Sequence, residues 1–228
     1  YDTVLAFTGL TDYVESEGCD RENMCLPENQ LALLDALAKT GKKIIVVLYG
    51  GSPVELPFAD KAAAILNMYL PGQCGGEDKR KLLFGEKNPC GKLAETWGKS
   101  YSDVPYGDKF SKTQIEVYKE SVFVGYRYYQ KAQKRVAFPF GFGLSYTTFG
   151  YSDMKIEESG GEITVTATVT NTGDRYGAEI IELYVKAPKT DVFKPEKELR
   201  AFTKVYLAAG ESKKIKVTVN KSNLAYYN

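Results

Sequence analysis

Apolar positions along this chain obey two different periods, and the change falls near residue 150. Ile44-Ile45-Val46-Val47-Leu48 is an unbroken apolar run, the pattern of a strand buried on both faces. Before it, Leu31, Leu34, Leu37 and Ala38 recur at helical spacing, with Pro27 near the entry and Gly41 just past the exit. Tyr1-Asp2-Thr3-Val4-Leu5-Ala6-Phe7 reads as a strand already under way. Gly50-Gly51-Ser52-Pro53 forces a turn, and Ala64-Ile65-Leu66-Asn67-Met68 predicts a further strand. The loop Pro71–Gly76 then leads into a helix through Leu82-Leu83-Phe84. Strands alternating with helices predict an α/β sandwich over residues 1–150, a mainly parallel sheet covered by helices.

From Tyr151 the period becomes two. Ile163, Val165, Ala167 and Val169 alternate with threonines, and Asn171-Thr172-Gly173-Asp174 supplies a turn. Ile181, Leu183 and Val185 repeat the alternation, as do Ile215, Val217 and Val219. One apolar and one polar face predicts an all-β, immunoglobulin-like sandwich over residues 151–228. Five strands are legible where such a sandwich has about seven. The remaining strands are expected beyond Asn228, and the chain reads as a piece cut at both ends.

Composition narrows the chemistry. Thirty basic against twenty-nine acidic residues provide no field for nucleic acid or an anionic membrane. No apolar run approaches the roughly 20 residues of a membrane helix. With no histidine, a His/Cys zinc site and Ser-His-Asp or Cys-His catalysis are excluded from these residues. Cys19, Cys25, Cys74 and Cys90 lack C-x-x-C spacing, which makes a four-thiolate site improbable. Gly50-Gly51 and Gly75-Gly76 fit neither a P-loop nor a dinucleotide fingerprint, so tight turns account for them better.

Two stretches carry more. Glu17-Gly18-Cys19-Asp20-Arg21 puts a carboxyl in a glycine-containing loop after the first strand, and Phe138–Phe149 (FPFGFGLSYTTF) closes one domain and opens another. Between them, in order, stand Leu26-Pro27, Gln30, Val46–Gly51, Pro71–Gly76, Leu83-Phe84-Gly85, Asn88–Leu93 and Val124–Tyr129. Val169–Gly173 and Glu198–Phe202 follow. Each piece is weak alone. Their joint order resembles glycoside hydrolase family 3, the β-glucosidase family, in its α/β sandwich and fibronectin-type-III-like domains but without the catalytic (β/α)8 barrel.

The resemblance implies a retaining exo-β-glycosidase, most simply a β-glucosidase, whose pocket lies between barrel and sandwich. The barrel would supply an aspartate nucleophile. The motif resembling Ser/Gly-Glu-Gly-x-Asp-Arg maps the general acid/base onto Glu17, with Gly18, Asp20 and Arg21 in register to position the loop. Retention needs two carboxyl groups about 5–5.5 Å apart, one attacking and one protonating the leaving oxygen. Glu15 is the runner-up acid, because in an extended loop it points to the same side as Glu17. Asp20 and Arg21 are expected to lock the loop as a local ion pair. Away from a barrel, Glu17 is expected to be exposed and to titrate normally.

Partners implied are a β-linked oligosaccharide or glycoside and the barrel itself, with neither nucleic acid nor membrane; a homodimer stays open. No metal or organic cofactor is implied, since two carboxyl groups suffice. Cys19 and Cys90 stand where the resemblance expects tyrosine and serine. Free thiols in a reducing, cytoplasmic compartment are therefore expected, with a Cys19–Cys25 bridge left open. Alternatives on the same scaffold are a β-xylosidase or a β-N-acetylglucosaminidase. The alternative outside enzymes is a non-catalytic carbohydrate-binding module, for which Phe138, Phe140, Phe142, Tyr126, Tyr128 and Tyr129 would offer stacking faces; packing is the favoured role for them. Lys213, Lys214 and Lys216 read as the solvated face of a strand.

Overall fold

The computed structural model describes residues 1–107, 112, 114–188 and 192–226. The described residues form two compact units. The first comprises Tyr1–Arg80, Glu95–Ser121 and Gln133–Pro139, the second Lys81–Ala94, Val122–Ala132 and Phe140–Asn228, so the chain passes between them more than once.

In the first unit, β1 (Thr3–Gly9), β2 (Lys43–Tyr49) and β3 (Ala64–Asn67) form a parallel sheet in that order. Thr3 lies opposite Lys43, Gly9 opposite Tyr49, and Ile45 opposite Ala64. The apolar run falls on the central strand, where Val46 and Val47 are wholly buried. Burying each such side chain contributes about 1.5–3 kcal/mol. Helix α1 (Glu28–Ala38) starts after Pro27 and ends before Gly41, whose φ of +70° allows the chain to turn back into β2. Leu34 is its buried contribution to the core, with Leu26, Val54, Phe58 and Trp97 elsewhere in the unit.

Helix α2 (Gly75–Leu83) stops one residue short of Phe84, and its Lys79 ammonium lies 4.9 Å from the Phe7 ring and 5.5 Å from that of Tyr49. A short antiparallel pair, β4 (Trp97–Gly98) with β5 (Val136–Phe138), completes the first unit's strands.

The carboxyl ends of the three parallel strands are stitched by backbone bonds. Leu10 N–H donates to Tyr49 O at 3.0 Å, Met68 N–H to Leu48 O at 2.9 Å, and Gly50 N–H to Tyr69 O at 3.3 Å. In open α/β sheets the loops at this edge carry the ligand chemistry.

The second unit contains α3 (Tyr126–Lys131) and five long strands. They are β6 (Phe149–Ser159), β7 (Glu162–Asn171), β8 (Gly177–Val185), β9 (Glu198–Leu207) and β10 (Ser212–Asn220). Strands β10-β7-β6 form one antiparallel sheet and β8-β9 another. Ala167 and Val169, Val205 and Leu207, and Ile215 and Val217 form a single buried cluster, with Ile181 and Leu183 packed against it. The period of two read from the sequence is thus the inward-facing set of a sandwich. Lys214 and Lys216 lie on the exposed face of β10, whereas Lys213 has the parity of buried Ile215 and is exposed at the start of the strand, its ammonium donating to Tyr206 O at 2.7 Å. Expected strands past Asn228 concern positions outside the described residues.

The Phe138–Gly143 segment is not extended throughout. Strand β5 ends at Phe138 and the chain turns at Phe140-Gly141, where Gly141 has φ +80°. Within the second unit, Leu93 pairs with Phe142 O and Gly141 N–H, at 2.8 Å each. Tyr126 packs on Phe140 and Tyr184, and its hydroxyl accepts from Leu199 N–H at 2.7 Å. That ring is used in packing.

Candidate active-site loop

Residues 10–26 leave the carboxyl end of β1 as a series of tight turns. Val14 and Glu15 N–H both donate to Thr11 O, at 2.8 and 2.9 Å, which makes one helical turn instead of the extended loop expected. Ser16 and Cys19 then form an isolated antiparallel bridge. Glu17 and Gly18 are the two residues at its tip. Gly18 has φ +78°, a conformation that glycine adopts without strain.

The two candidate acids therefore part company. Glu15 is half-buried and its carboxylate is fully engaged. One oxygen accepts from Gly51 N–H at 2.7 Å and the other from the Ser52 hydroxyl at 2.6 Å. Glu17 is exposed and makes no hydrogen bond or ion pair with any described residue. The expectation that both carboxyls point the same way fails because the intervening chain is turned, so alternation does not apply.

Arg21 does not pair with Asp20. Its Nη1 donates to the Ser52 hydroxyl at 2.7 Å and to Pro53 O at 3.2 Å, while Asp20 stays exposed. Burial pulls the Arg21 guanidinium below its ordinary pKa, and the charge of Glu15 acts against that pull. Glu15, Ser52 and Arg21 thus form a chain that ties the acidic loop to the Gly50–Pro53 turn. Cys19, Cys25, Cys74 and Cys90 are all free thiols, so Cys19 and Cys25 are not bridged.

One further carboxyl has a perturbed environment. Glu95, half-buried, lies in range of the Tyr69 hydroxyl and of the charge on Glu15. Burial raises its pKa most; the Tyr69 hydroxyl works against the rise, and Glu15 adds to it. Tyr69 has φ +48°, unusual for a side chain of its size. Its hydroxyl, the Trp97 indole N–H and the Asn67 amide nitrogen are buried near one another, none in hydrogen-bond geometry. Glu95, Tyr69 and Ser52 were not singled out from sequence. The Gly50–Pro53 turn was legible, but its contact with Glu15 spans 36 residues and leaves no local signal.

The Glycosyl hydrolase family 3 C-terminal domain matches residues 1–146, and a Fibronectin type III-like domain matches residues 179–228. The thermostable β-glucosidase B of Acetivibrio thermocellus is 47% identical over 232 residues, covering 100% of this chain and 31% of the relative. An exo-α-(1→6)-L-arabinopyranosidase of Bifidobacterium longum is 42% identical, covering 99% and 30%. Among solved structures, the GH3 β-glucosidase of Bifidobacterium adolescentis superposes with TM-score 0.95 at 43% identity, over 100% of this chain and 34% of its own. The β-glucosidase of Kluyveromyces marxianus in complex with glucose gives 0.96 at 36% identity, over 100% and 28%. The chain spans about a third of the length of these relatives.

Proposed function

The chain belongs to glycosyl hydrolase family 3, and we propose that it forms the acid/base wall of a retaining exo-β-glycosidase, with Glu17 as proton donor and acceptor. The observation that carries this reading is the separation of the two acids. Glu15 spends both oxygens on Gly51 and Ser52, whereas Glu17 stands unbonded and exposed at the tip of a braced turn.

In the proposed reaction a barrel aspartate attacks the anomeric carbon while Glu17 delivers its proton to the leaving oxygen. Glu17, now a carboxylate, then takes a proton from the water that releases the sugar. Gly18 permits the turn, and Arg21, through Ser52, keeps the loop seated. Asp20 is exposed and takes no part in that bracing, so its proposed loop-positioning role rests on the motif alone. Residues 1–150 carry this wall and residues 151–228 the fibronectin-type-III-like domain. The isolated chain, without the nucleophile, is expected not to turn over glycosides.

β-Glucosides are the favoured substrate class, in line with the β-glucosidases of Acetivibrio thermocellus and Bifidobacterium adolescentis. The arabinopyranosidase, nearly as similar, favours a second reading in which the sugar differs while the acid/base wall is kept. An α-L-arabinopyranoside and a β-D-glucopyranoside both present an equatorial leaving group, so one acid position serves both.

The test joins the chain to its barrel-bearing segment and compares wild type with Glu17→Ala on an activated aryl glycoside. Loss of about 10²–10⁴-fold in kcat, restored in part by azide as external nucleophile, is the expected result. Unchanged hydrolysis in the variant removes Glu17 from the mechanism.

A further inference from the structure

We infer that Glu55 is a positioning residue for the acidic loop, fastening its returning stem to the segment 100–107; the catalytic part of this inference rests on the proposed role of Glu17. Residues 51–55 bond to the loop at three places. On the outgoing stem, Gly51 N–H and the Ser52 hydroxyl donate to the Glu15 carboxylate at 2.7 and 2.6 Å. Further on, Arg21 donates to the Ser52 hydroxyl and to Pro53 O at 2.7 and 3.2 Å. On the returning stem, Glu55 N–H donates to Met24 O at 2.7 Å. Glu17 lies in the chain between the first and second of these attachments.

The side chain of Glu55 carries the hold to a third segment. Its Oε1 accepts from Tyr101 N–H at 2.7 Å, across 46 residues of sequence. Tyr101 is itself well anchored. Its hydroxyl donates to Gly107 O at 2.6 Å and its carbonyl accepts from Val104 N–H at 3.0 Å. A Cβ at Gly107 would lie 3.1 Å from the Tyr101 ring, so the turn closes tightly on it. Lys134 pairs with Asp103 at 3.4 Å and ties the same segment from outside.

Burial fixes the backbone on both sides of this link, since Val54 is 1% exposed and Leu26, two residues past Met24, is 2% exposed. What the Glu55 carboxylate adds is a link from that backbone to Tyr101. Without it the Tyr101 N–H loses this acceptor, and the returning stem is held by Met24 alone, while the bonds of Glu15 and Arg21 persist. The loop is then free to swing on its outgoing stem without unfolding. A proton donor must lie within hydrogen-bond reach of the leaving oxygen, and a displacement of about 1 Å can cost about 10²-fold in rate.

The experiment joins the chain to its barrel-bearing segment and compares Glu55→Ala, Glu55→Gln and Glu17→Ala on an alkyl and an activated aryl β-glucoside. The alkyl leaving oxygen needs its proton in the transition state, and the activated aryl one needs it far less. Glu55→Ala is expected to lose about 10–10²-fold in kcat/KM on the alkyl glucoside and clearly less on the aryl one. A smaller folded fraction would lower both equally. Glu55→Gln keeps an oxygen for Tyr101 N–H and should recover most of the loss. Amide hydrogen exchange on the same proteins needs no hydrolysis: Glu55→Ala should speed exchange in residues 10–26 and 100–107 and leave β7 unchanged. Unchanged exchange in residues 10–26, or no recovery in Glu55→Gln, overturns the inference. So do equal losses on the two glucosides in Glu55→Ala where Glu17→Ala discriminates between them. If Glu55→Ala does not fold, Glu55→Asp, one methylene short of Tyr101 N–H, is read in its place. A Glu17→Ala variant that does not discriminate sinks the assignment of Glu17, and the exchange data then decide the hold of Glu55 on the loop by themselves.

Discussion

The side-chain amide of Gln30 grips the backbone of Gly9 from both sides. Its oxygen accepts from Gly9 N–H at 2.8 Å and its nitrogen donates to Gly9 O at 2.9 Å. A helix residue thus supplies the partners that a further strand would otherwise give to the last residue of β1. The acidic loop begins immediately afterwards, so this clasp fixes where it departs. Gln30→Ala leaves both groups of a buried glycine unpaired and should cost about 1–3 kcal/mol, read as a lowered urea midpoint with unchanged slope. Gln30→Glu keeps the acceptor, loses the donor and should be no better than alanine. A midpoint within error of wild type for both would show the clasp contributes nothing.

Gly18 makes a sharper statement about backbone than about space. At φ +78° an added Cβ meets nothing within 4 Å, so any penalty is conformational. Gly18→Val is expected to cost about 1–2 kcal/mol, and Gly18→Asn clearly less, because asparagine tolerates the left-handed region. Paired chemical denaturation of the two variants checks this. Equal cost would mean that the turn is remade when the residue changes.

The difference between Glu15 and Glu17 is also testable as stability. Glu15→Ala strips acceptors from Gly51 N–H and the Ser52 hydroxyl and should destabilise the chain by about 1–2 kcal/mol, the exposure of Gly51 keeping it from the top of the range. Glu17→Ala breaks no bond and should stay within about 0.5 kcal/mol of wild type. A reversed order in urea melts would contradict the assignment of bracing to one acid and reaction to the other.

Much of this was legible because period and turn chemistry are local. The apolar run of β2, the Pro27 and Gly41 boundaries of α1, and the inward set of β7 and β10 all follow from neighbours along the chain. The loop geometry was not. Alternation places Glu15 and Glu17 on one side only in extended chain, and two N–H groups converging on Thr11 O remove that condition. The Asp20–Arg21 pair was a sound guess from adjacency. It lost to Ser52 and Pro53, which tertiary structure brings to Arg21 across 31 and 32 residues. Glu95 carried no signal at all, because its burial and the influence of Tyr69 and Glu15 on its pKa arise only on folding.

Acid should loosen the turn between β9 and β10 through Glu211. That carboxylate accepts from Ala208 N–H at 2.7 Å and pairs with Lys213 at 3.1 Å. The Ala208 hydrogen bond is the main cause of its lowered pKa, with Lys213 next. A depressed folded value means the stabilisation is whole above the unfolded glutamate pKa of about 4.3 and drains away as pH falls through the lower folded one. Glu211→Gln keeps an acceptor for Ala208 but cannot be titrated. The stability difference between wild type and this variant should therefore be constant above about pH 5 and shrink steadily below about pH 4. Asp35, lowered by Lys39 and Lys61, contributes a similar acid limb in the first unit, so Glu211→Gln alone should reduce the slope without abolishing it. Urea midpoints measured across this range decide the matter. A wild-type-minus-variant difference that stays constant down to the acid end would mean that the folded turn has no preferential hold on the ionised form of Glu211.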